Sequence, residues 1–245
     1  MGPIYDNETF FAEYRTLRRR DDCLNDLLEQ PAIKKLLPDL RGKAVLDLGC
    51  GFGANCLDFA HRGAERVVGL DVSEKMLRAA QAESSAPQIE YLHMDMSDIS
   101  RINESFDLIY SSLAFHYIEN FSQLSRDIFP LLKRGGRLLF SQEHPIVTAT
   151  IGGQGHFNRD ENGNRVSYTV SNYSQSGRRE SFWFVDGVVK YHRSMGEIIT
   201  ALAETGLVIE KIEEPRPESW ALEKLPSLSK ELLKPTFLIV RARKV

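Results

Sequence analysis

Val45-Leu46-Asp47-Leu48-Gly49-Cys50-Gly51-Phe52-Gly53-Ala54-Asn55-Cys56 decides how the rest of the chain is read. Residues 44–48 are mostly apolar and alternate little, the pattern of a strand buried on both faces in a parallel sheet. Three glycines follow and lead into a helical stretch over residues 54–61. The unit is therefore a strand, a glycine turn and a helix. Such a turn lets a ligand lie against bare backbone, because glycine has no side chain in the way and tolerates the dihedrals required.

Two ligand classes compete for the turn. Gly49, Gly51 and Ala54 satisfy the dinucleotide fingerprint G-x-G-x-x-G/A. Asp47 speaks against it: a carboxylate two residues before the first glycine would stand close to a bound pyrophosphate and repel it. The same carboxylate suits a ligand carrying an ammonium and a sulfonium, S-adenosylmethionine. The stretch resembles motif I of the class I methyltransferases, D/E-x-G-x-G-x-G, and Asp47, Gly49, Gly51 and Gly53 fill it at every position. The resemblance implies S-adenosylmethionine as cofactor, S-adenosylhomocysteine as product, and Asp47, Gly49, Cys50, Gly51 and Gly53 in the cofactor site. The plain alternative is a glycine turn used only for close packing.

Working outward, residues 66–71 read as a second strand, and Ser73 is placed to cap a helix through residue 82. Asp71 ends that strand near the ~20-residue spacing at which a carboxylate accepts from ribose hydroxyls, with Val72 beside it. Residues 89–94 read as a third strand ending in Asp95-Met96, and the resemblance implies that Asp95 accepts from the adenine amino group. Met76 and Met96 can sandwich the adenine, the competing reading being plain core. Residues 106–118 resemble motif IV, whose strand end at Ser111 meets cofactor and substrate. Nucleobase amino-methyltransferases carry N/D-P-P-Y/F there; Ser111-Ser112-Leu113-Ala114 lacks it, which speaks against a DNA or RNA base as acceptor. A helix over 120–132, the glycine turn Arg134-Gly135-Gly136 and a fifth strand over 137–142 complete a βα alternation, which predicts a parallel sheet with helices on both faces.

Residues 10–17 and 24–37 read as helices of an N-terminal cap, residues 1–40, with Pro31 bending the second. In similar methyltransferases such a helix closes over the cofactor, which implies roles for Tyr14 and Arg18. Arg15, Arg18, Arg19 and Arg20 are followed at once by Asp21 and Asp22, so this basic patch reads as a solvated face. Residues 146–192 read as a β-rich insertion. Gly152-Gly153-Gln154-Gly155 is loop-like, residues 166–170 alternate, and residues 182–185 are expected to pair with 188–191 across Asp186-Gly187. Sitting after the fifth strand, the insertion is expected to cover the acceptor pocket as a lid, with Tyr168, Tyr173, Phe182, Trp183 and Phe184 shaping it. Ser194-Met195-Gly196-Glu197 is a capping box that starts a helix ending before Gly206, and strands over 207–212 and 235–243 follow. The overall style resembles the type 11 branch of small-molecule methyltransferases. It implies a single α/β domain over 1–245, a Rossmann-like three-layer sandwich with a seven-stranded, mostly parallel sheet of order 3-2-1-4-5-7-6.

The 245 residues and 42% apolar content suffice for one ordinary core, and a formal net charge of -3 supplies no general drive toward nucleic acid or anionic lipid. Cys23, Cys50 and Cys56 show neither a disulfide framework nor zinc spacing, which fits a reducing cytoplasm. Residues 1–22 are not an apolar leader, and no run approaches a membrane span. The expected partner is a small-molecule acceptor, with no nucleic acid, membrane or metal. If that acceptor must lose a proton, histidine is the residue type to take it, and His144 and His116 both follow strand ends at the expected site, with Glu143 the weaker candidate. His192 is expected at the lid or the surface. Two other functions compete: a nicotinamide-dependent oxidoreductase, and a cofactor-binding or activating subunit without its own chemistry.

Overall fold

A computed structural model describes residues 3–20, 22–152 and 155–245; the readings at Asp21 and at Gly153-Gln154 lie outside the described residues. The elements run α1 (Glu8–Arg18), α2 (a π-helical Asn25–Glu29 continuing as α-helical Gln30–Lys35), β1 (Ala44–Leu48), α3 (Ala54–His61), β2 (Arg66–Asp71), α4 (Glu74–Glu83), β3 (Ile89–His93), β4 (Phe106–Ser112), α5 (Phe121–Leu131) and β5 (Leu132–Glu143). They continue as α6 (Pro145–Thr148), β6 (His156–Arg159), β7 (Arg165–Thr169), β8 (Gly177–Trp183), β9 (Val185–His192), α7 (Met195–Glu204), β10 (Leu207–Glu213), α8 (Ser219–Lys224) and β11 (Phe237–Lys244). Pro31 has no N–H to return to the preceding turn, and the helix before it widens to π geometry, with Gln30 N–H reaching Asn25 O.

One sheet of seven strands in the order β10-β11-β5-β4-β1-β2-β3 organises the molecule. β1 pairs in parallel with β2 and β4, and β11 runs antiparallel to both β5 and β10. Counting β10 and β11 as sixth and seventh, this is the expected 3-2-1-4-5-7-6, a Rossmann-like sheet. Alternate residues feed two cores, as strand periodicity demands. Val45, Val67, Leu108, Leu139 and Ile239 meet Ile33, Phe59 and Leu77 on one face. Leu46, Val68, Ile109, Leu138 and Val240 meet Leu124, Ile128, Ile198 and Leu202 on the other. Helices α2, α3 and α4 therefore cover one face, and α5 and α7 the other.

The capping reading holds: Ser194 Oγ accepts from Glu197 N–H while Glu197 accepts from Ser194 N–H at 2.7 Å. β5 starts earlier than expected. Leu132 is in register with Phe106 and Arg137 with Leu108, so residues 133–136, with Gly135 at φ +78°, loop out inside the strand. In the insertion, β6 pairs with β7 and β8 with β9 as two small separate sheets. The expected turn at Asp186-Gly187 is corrected. Trp183 pairs with Val185 and Ser181 with Val188, so the chain reverses at Phe184, at φ +62°. Asp186 and Gly187 instead form a bulge, because an Asp-Gly with Gly187 at φ +78° supplies the left-handed residue that a bulge also needs. Among the described residues no helix is long and apolar enough to cross a membrane.

Candidate active site

The carboxyl ends of β1, β2 and β4 meet where strand order reverses, the ligand edge of an open α/β sheet. Gly49, Gly51 and Gly53 all take left-handed dihedrals, at φ +78°, +53° and +74°. Their uses differ. A Cβ on Gly49 would meet Ala114 Cβ at 2.7 Å, and one on Gly53 would run into the Tyr91 hydroxyl, whereas one on Gly51 would meet nothing within 4 Å. Gly49 and Gly53 thus serve close packing, and Gly51 faces open space. Asp71 fastens the turn from β2: its carboxylate accepts from Gly51 N–H and Ser73 N–H, each at 2.9 Å. Burial raises its pKa, and those backbone donors oppose the rise.

Three cavities adjoin here. The first, about 240 Å³, is lined by Gly49, Gly51, Asp71, Val72, Met76, Asp95 and Met96, with Tyr5, Leu113 and Tyr117 on its far wall. Asp95 accepts from Ser97 N–H and Oγ, both at 2.8 Å. The second, about 290 Å³, is lined by Cys50, Gly51, Ser112, Arg18 and Asn25 among others. Arg18 pairs with Asp26 at 3.6 Å. The third, about 240 Å³, is lined by Leu17, Leu24, Leu113, His116, Tyr117, Glu143, Trp183 and Phe237 among others. Tyr14 borders all three.

Three sequence candidates for the cofactor wall lie off the cavities. Gly53 caps α3 from beneath the turn. Ser111 is buried and donates to Leu48 O at 2.7 Å; its neighbour Ser112, one residue on and therefore facing the other way, lines the wall instead. Asp47 is buried below the turn, where Oδ2 accepts from Cys56 Sγ at 3.4 Å and Oδ1 has no partner. Desolvation pushes its pKa up to about 7.

The histidines separate as sharply. His144 Nδ1 accepts from Ile146 N–H at 3.1 Å, capping α6, while Nε2 meets Glu214 at 2.9 Å; it lines none of the three cavities. His116 lines the third, with Nδ1 accepting from Glu143 N–H at 3.4 Å, and burial lowers its pKa to about 4. His192, at the end of β9 in the insertion, is fully buried, bonded to Thr148 Oγ1 at 2.8 Å and Tyr173 O at 2.9 Å, which overturns the surface alternative of its two expected places. Its job is to tie the insertion to α6.

Sequence reasoning passed over Tyr5, Tyr117 and Glu29. Tyr5 and Tyr117 share a hydroxyl contact at 3.3 Å, and Tyr5, Phe10, Tyr14 and Trp183 pack edge to face at 4.9–5.8 Å. The N-terminal helix and the insertion so meet above the third cavity. Lys190 holds the insertion down, bonding Glu143 at 2.6 Å with its Nζ 5.3 Å from the Trp183 ring. Glu29, fully buried, accepts from Ser112 Oγ at 3.0 Å and also from Ser141 Oγ. No local signal marks the contacts of Tyr117, Trp183 and Glu29 with their partners on other elements, because these join residues distant in the chain. Among the described residues no group of three or more His, Cys, Asp or Glu could hold a metal ion.

The family profile described as "Methyltransferase domain" matches residues 46–140. The crystal structure of an S-adenosylmethionine-dependent methyltransferase from Mesorhizobium loti superposes with a TM-score of 0.82, at 40% identity over 88% of this chain and 97% of that one. An uncharacterised protein of Haemophilus influenzae is 38% identical over 99% of this chain and 97% of its own. The trans-aconitate 2-methyltransferase of Deinococcus radiodurans is 32% identical over 126 residues, 48% of this chain and 47% of that protein. The chain thus matches only about half the length of that named relative.

Proposed function

The chain belongs to the S-adenosylmethionine-dependent methyltransferases, and from that premise we propose that it methylates a small molecule held in the third cavity. It is an enzyme, and its cofactor is S-adenosylmethionine, which when bound supplies a methyl group on a positively charged sulfur. The residues at the sheet edge fit that group. Open space at Gly51 leaves room for backbone contact, Asp71 offers a carboxylate to ribose hydroxyls, and Met76 and Met96 offer apolar walls for an adenine. Asp95, Val72 and Gly49 complete that end, and Cys50 and Arg18 line the other, where Arg18, with Arg15 and Arg19 on the same wall, offers positive charge to a carboxylate.

The observation that carries the small-molecule reading is the limited size of the third cavity, about 240 Å³. It is walled by α1, α2, the turn after β4, the end of β5 and Trp183 of the insertion, which leaves space for a compact acceptor. Residues 1–40 then act as a cap and 146–192 as a lid that excludes water, while Tyr14 stands at the junction of cofactor and acceptor. The trans-aconitate enzyme, named for a small acceptor, supports the same scale of substrate.

Calorimetry provides the test. S-adenosylhomocysteine should bind saturably and NADH should not; Asp71→Ala should weaken the former by roughly 1–3 kcal/mol, because it removes a charged acceptor. Unchanged affinity would take Asp71 out of the site. Incubation with labelled S-adenosylmethionine and a metabolite extract should yield a labelled small product; label only in macromolecules would overturn the acceptor reading.

A further inference from the structure

The third cavity's wall also restricts the chemistry of its occupant, on the reading that it is the acceptor site. Rings dominate the wall: Tyr5, Tyr14, Tyr117, Trp183 and Phe237, with Leu17, Leu24 and Leu113 between them. Edge-to-face packing of Tyr5 on Tyr14 and of Tyr14 on Trp183 leaves flat surfaces suited to another ring. A cavity of ~150 Å³ is enough for benzene, so about 240 Å³ admits one substituted ring.

Charge narrows the choice further. No lining residue is cationic, and the one lining carboxylate, Glu143, is already paired with Lys190 at 2.6 Å. A di- or tricarboxylic acid would therefore bury charges without partners, and an alkylammonium would find its carboxylate engaged. The Tyr5 and Tyr117 hydroxyls engage each other at 3.3 Å and Thr236 Oγ1 accepts from Lys234 at 2.8 Å, which leaves the Asn25 amide, the Tyr14 hydroxyl and the His116 ring as polar groups for an acceptor. Of these, His116 stands against the end of β5. Its Nδ1 receives Glu143 N–H, and burial, helped by Lys190 and Arg193 and opposed by the Glu143 carboxylate, keeps the ring neutral at pH 7, so the ring proton sits on Nε2. His116 is thus a hydrogen-bond donor rather than a base, and it suits an oxygen lone pair.

We propose that the acceptor is a single-ring phenol or enol, its reacting oxygen oriented by His116 Nε2–H and its ring held among Tyr5, Tyr14, Tyr117 and Trp183. Glu143, the one carboxylate on the wall, is engaged by Lys190, so the hydroxyl proton goes to water as the acceptor enters, and His116 Nε2–H is the donor that meets the single negative oxygen left. The acceptor oxygen then forms its bond to the methyl carbon as the carbon–sulfur bond breaks, the electron pair staying on sulfur.

Trp183 provides a readout independent of turnover, once the exposed Trp220 is replaced in a Trp220→Phe background that leaves one tryptophan. The protein, saturated with S-adenosylhomocysteine as verified by calorimetry, is titrated with catechol, resorcinol, 4-hydroxybenzaldehyde, citrate and benzylamine while Trp183 fluorescence is followed. At least one of the three phenols should quench saturably, and citrate and benzylamine should not. His116→Ala should weaken that phenol at least about tenfold, the scale of one lost hydrogen bond. His116→Gln, which returns an N–H near the Nε2 position, should recover most of it, and neither variant should change S-adenosylhomocysteine affinity. Saturable binding of citrate or benzylamine in place of every phenol, no saturable binding by any probe, or equal phenol affinity in His116→Ala would each overturn the proposal. Failure to bind S-adenosylhomocysteine would instead overturn the site assignment beneath it.

Discussion

Asp47 shows what a single carboxylate costs when the fold takes it out of water. It lies below the glycine turn with one oxygen against Cys56 Sγ and the other without a partner, and desolvation lifts its pKa from 3.8 to about 7. Between those values the native state holds a proton that the unfolded chain has lost. The stability this contributes is fully present below about pH 4 and is lost as pH rises through about 7. Asp47→Asn should therefore raise the melting temperature of the ligand-free protein at about pH 8, by up to about 4 kcal/mol of stability, with the gap closing toward about pH 4. Thermal melts across that range check it, and a gap independent of pH would show that Asp47 is ionised in the fold. The residue was legible as part of motif I, but its burial was not. Which face of β1 carries it depends on the register with β2 and β4.

At the scale of elements, the insertion, proposed as a lid, is fastened at a few points. Lys190 bonds Glu143, Arg193 bonds the carbonyls of Ile118 and Glu119, and His192 bonds Thr148. Trp183 is the residue this arrangement delivers to the cavity. Deleting residues 151–189 should abolish methyl transfer while leaving S-adenosylhomocysteine affinity within about threefold, since neither cofactor-side cavity takes a wall from the insertion. Turnover that survives intact would remove the lid role. The β-rich character of this stretch was readable from its alternation, whereas the turn was misplaced. Asp186-Gly187 is equally good chemistry for a bulge, and the pairing is decided by Trp183 packing on Phe10 and Tyr14, far away in the chain.

The whole molecule is held to its ligand edge by Glu29. This buried carboxylate on α2 accepts from Ser112 at the end of β4 and from Ser141 on β5; Ser141 Oγ in turn accepts from the N–H of Leu113, a non-glycine residue at φ +55°. Desolvation raises the Glu29 pKa, and the serine and Gln30 donors oppose it. Glu29→Ala should strand the buried Ser141 hydroxyl and release the half-buried Ser112 hydroxyl, at a cost of about 1–3 kcal/mol in urea denaturation, with Glu29→Gln costing less because one acceptor oxygen remains. Equal losses for both would mean that packing rather than hydrogen bonding is at stake. From its own order and spacing the chain determined the sheet, the cofactor and the strand ends that meet it, because motif I, the βα alternation and the capping box are local patterns with local physical causes. Tertiary structure alone decided that Ser112 rather than Ser111 faces the site and that His116 rather than His144 reaches the third cavity. It alone decided also that Tyr5 and Tyr117 converge there with Trp183, since burial and orientation arise from contacts between residues far apart in the chain, such as Tyr5 with Tyr117 and Phe10 with Trp183.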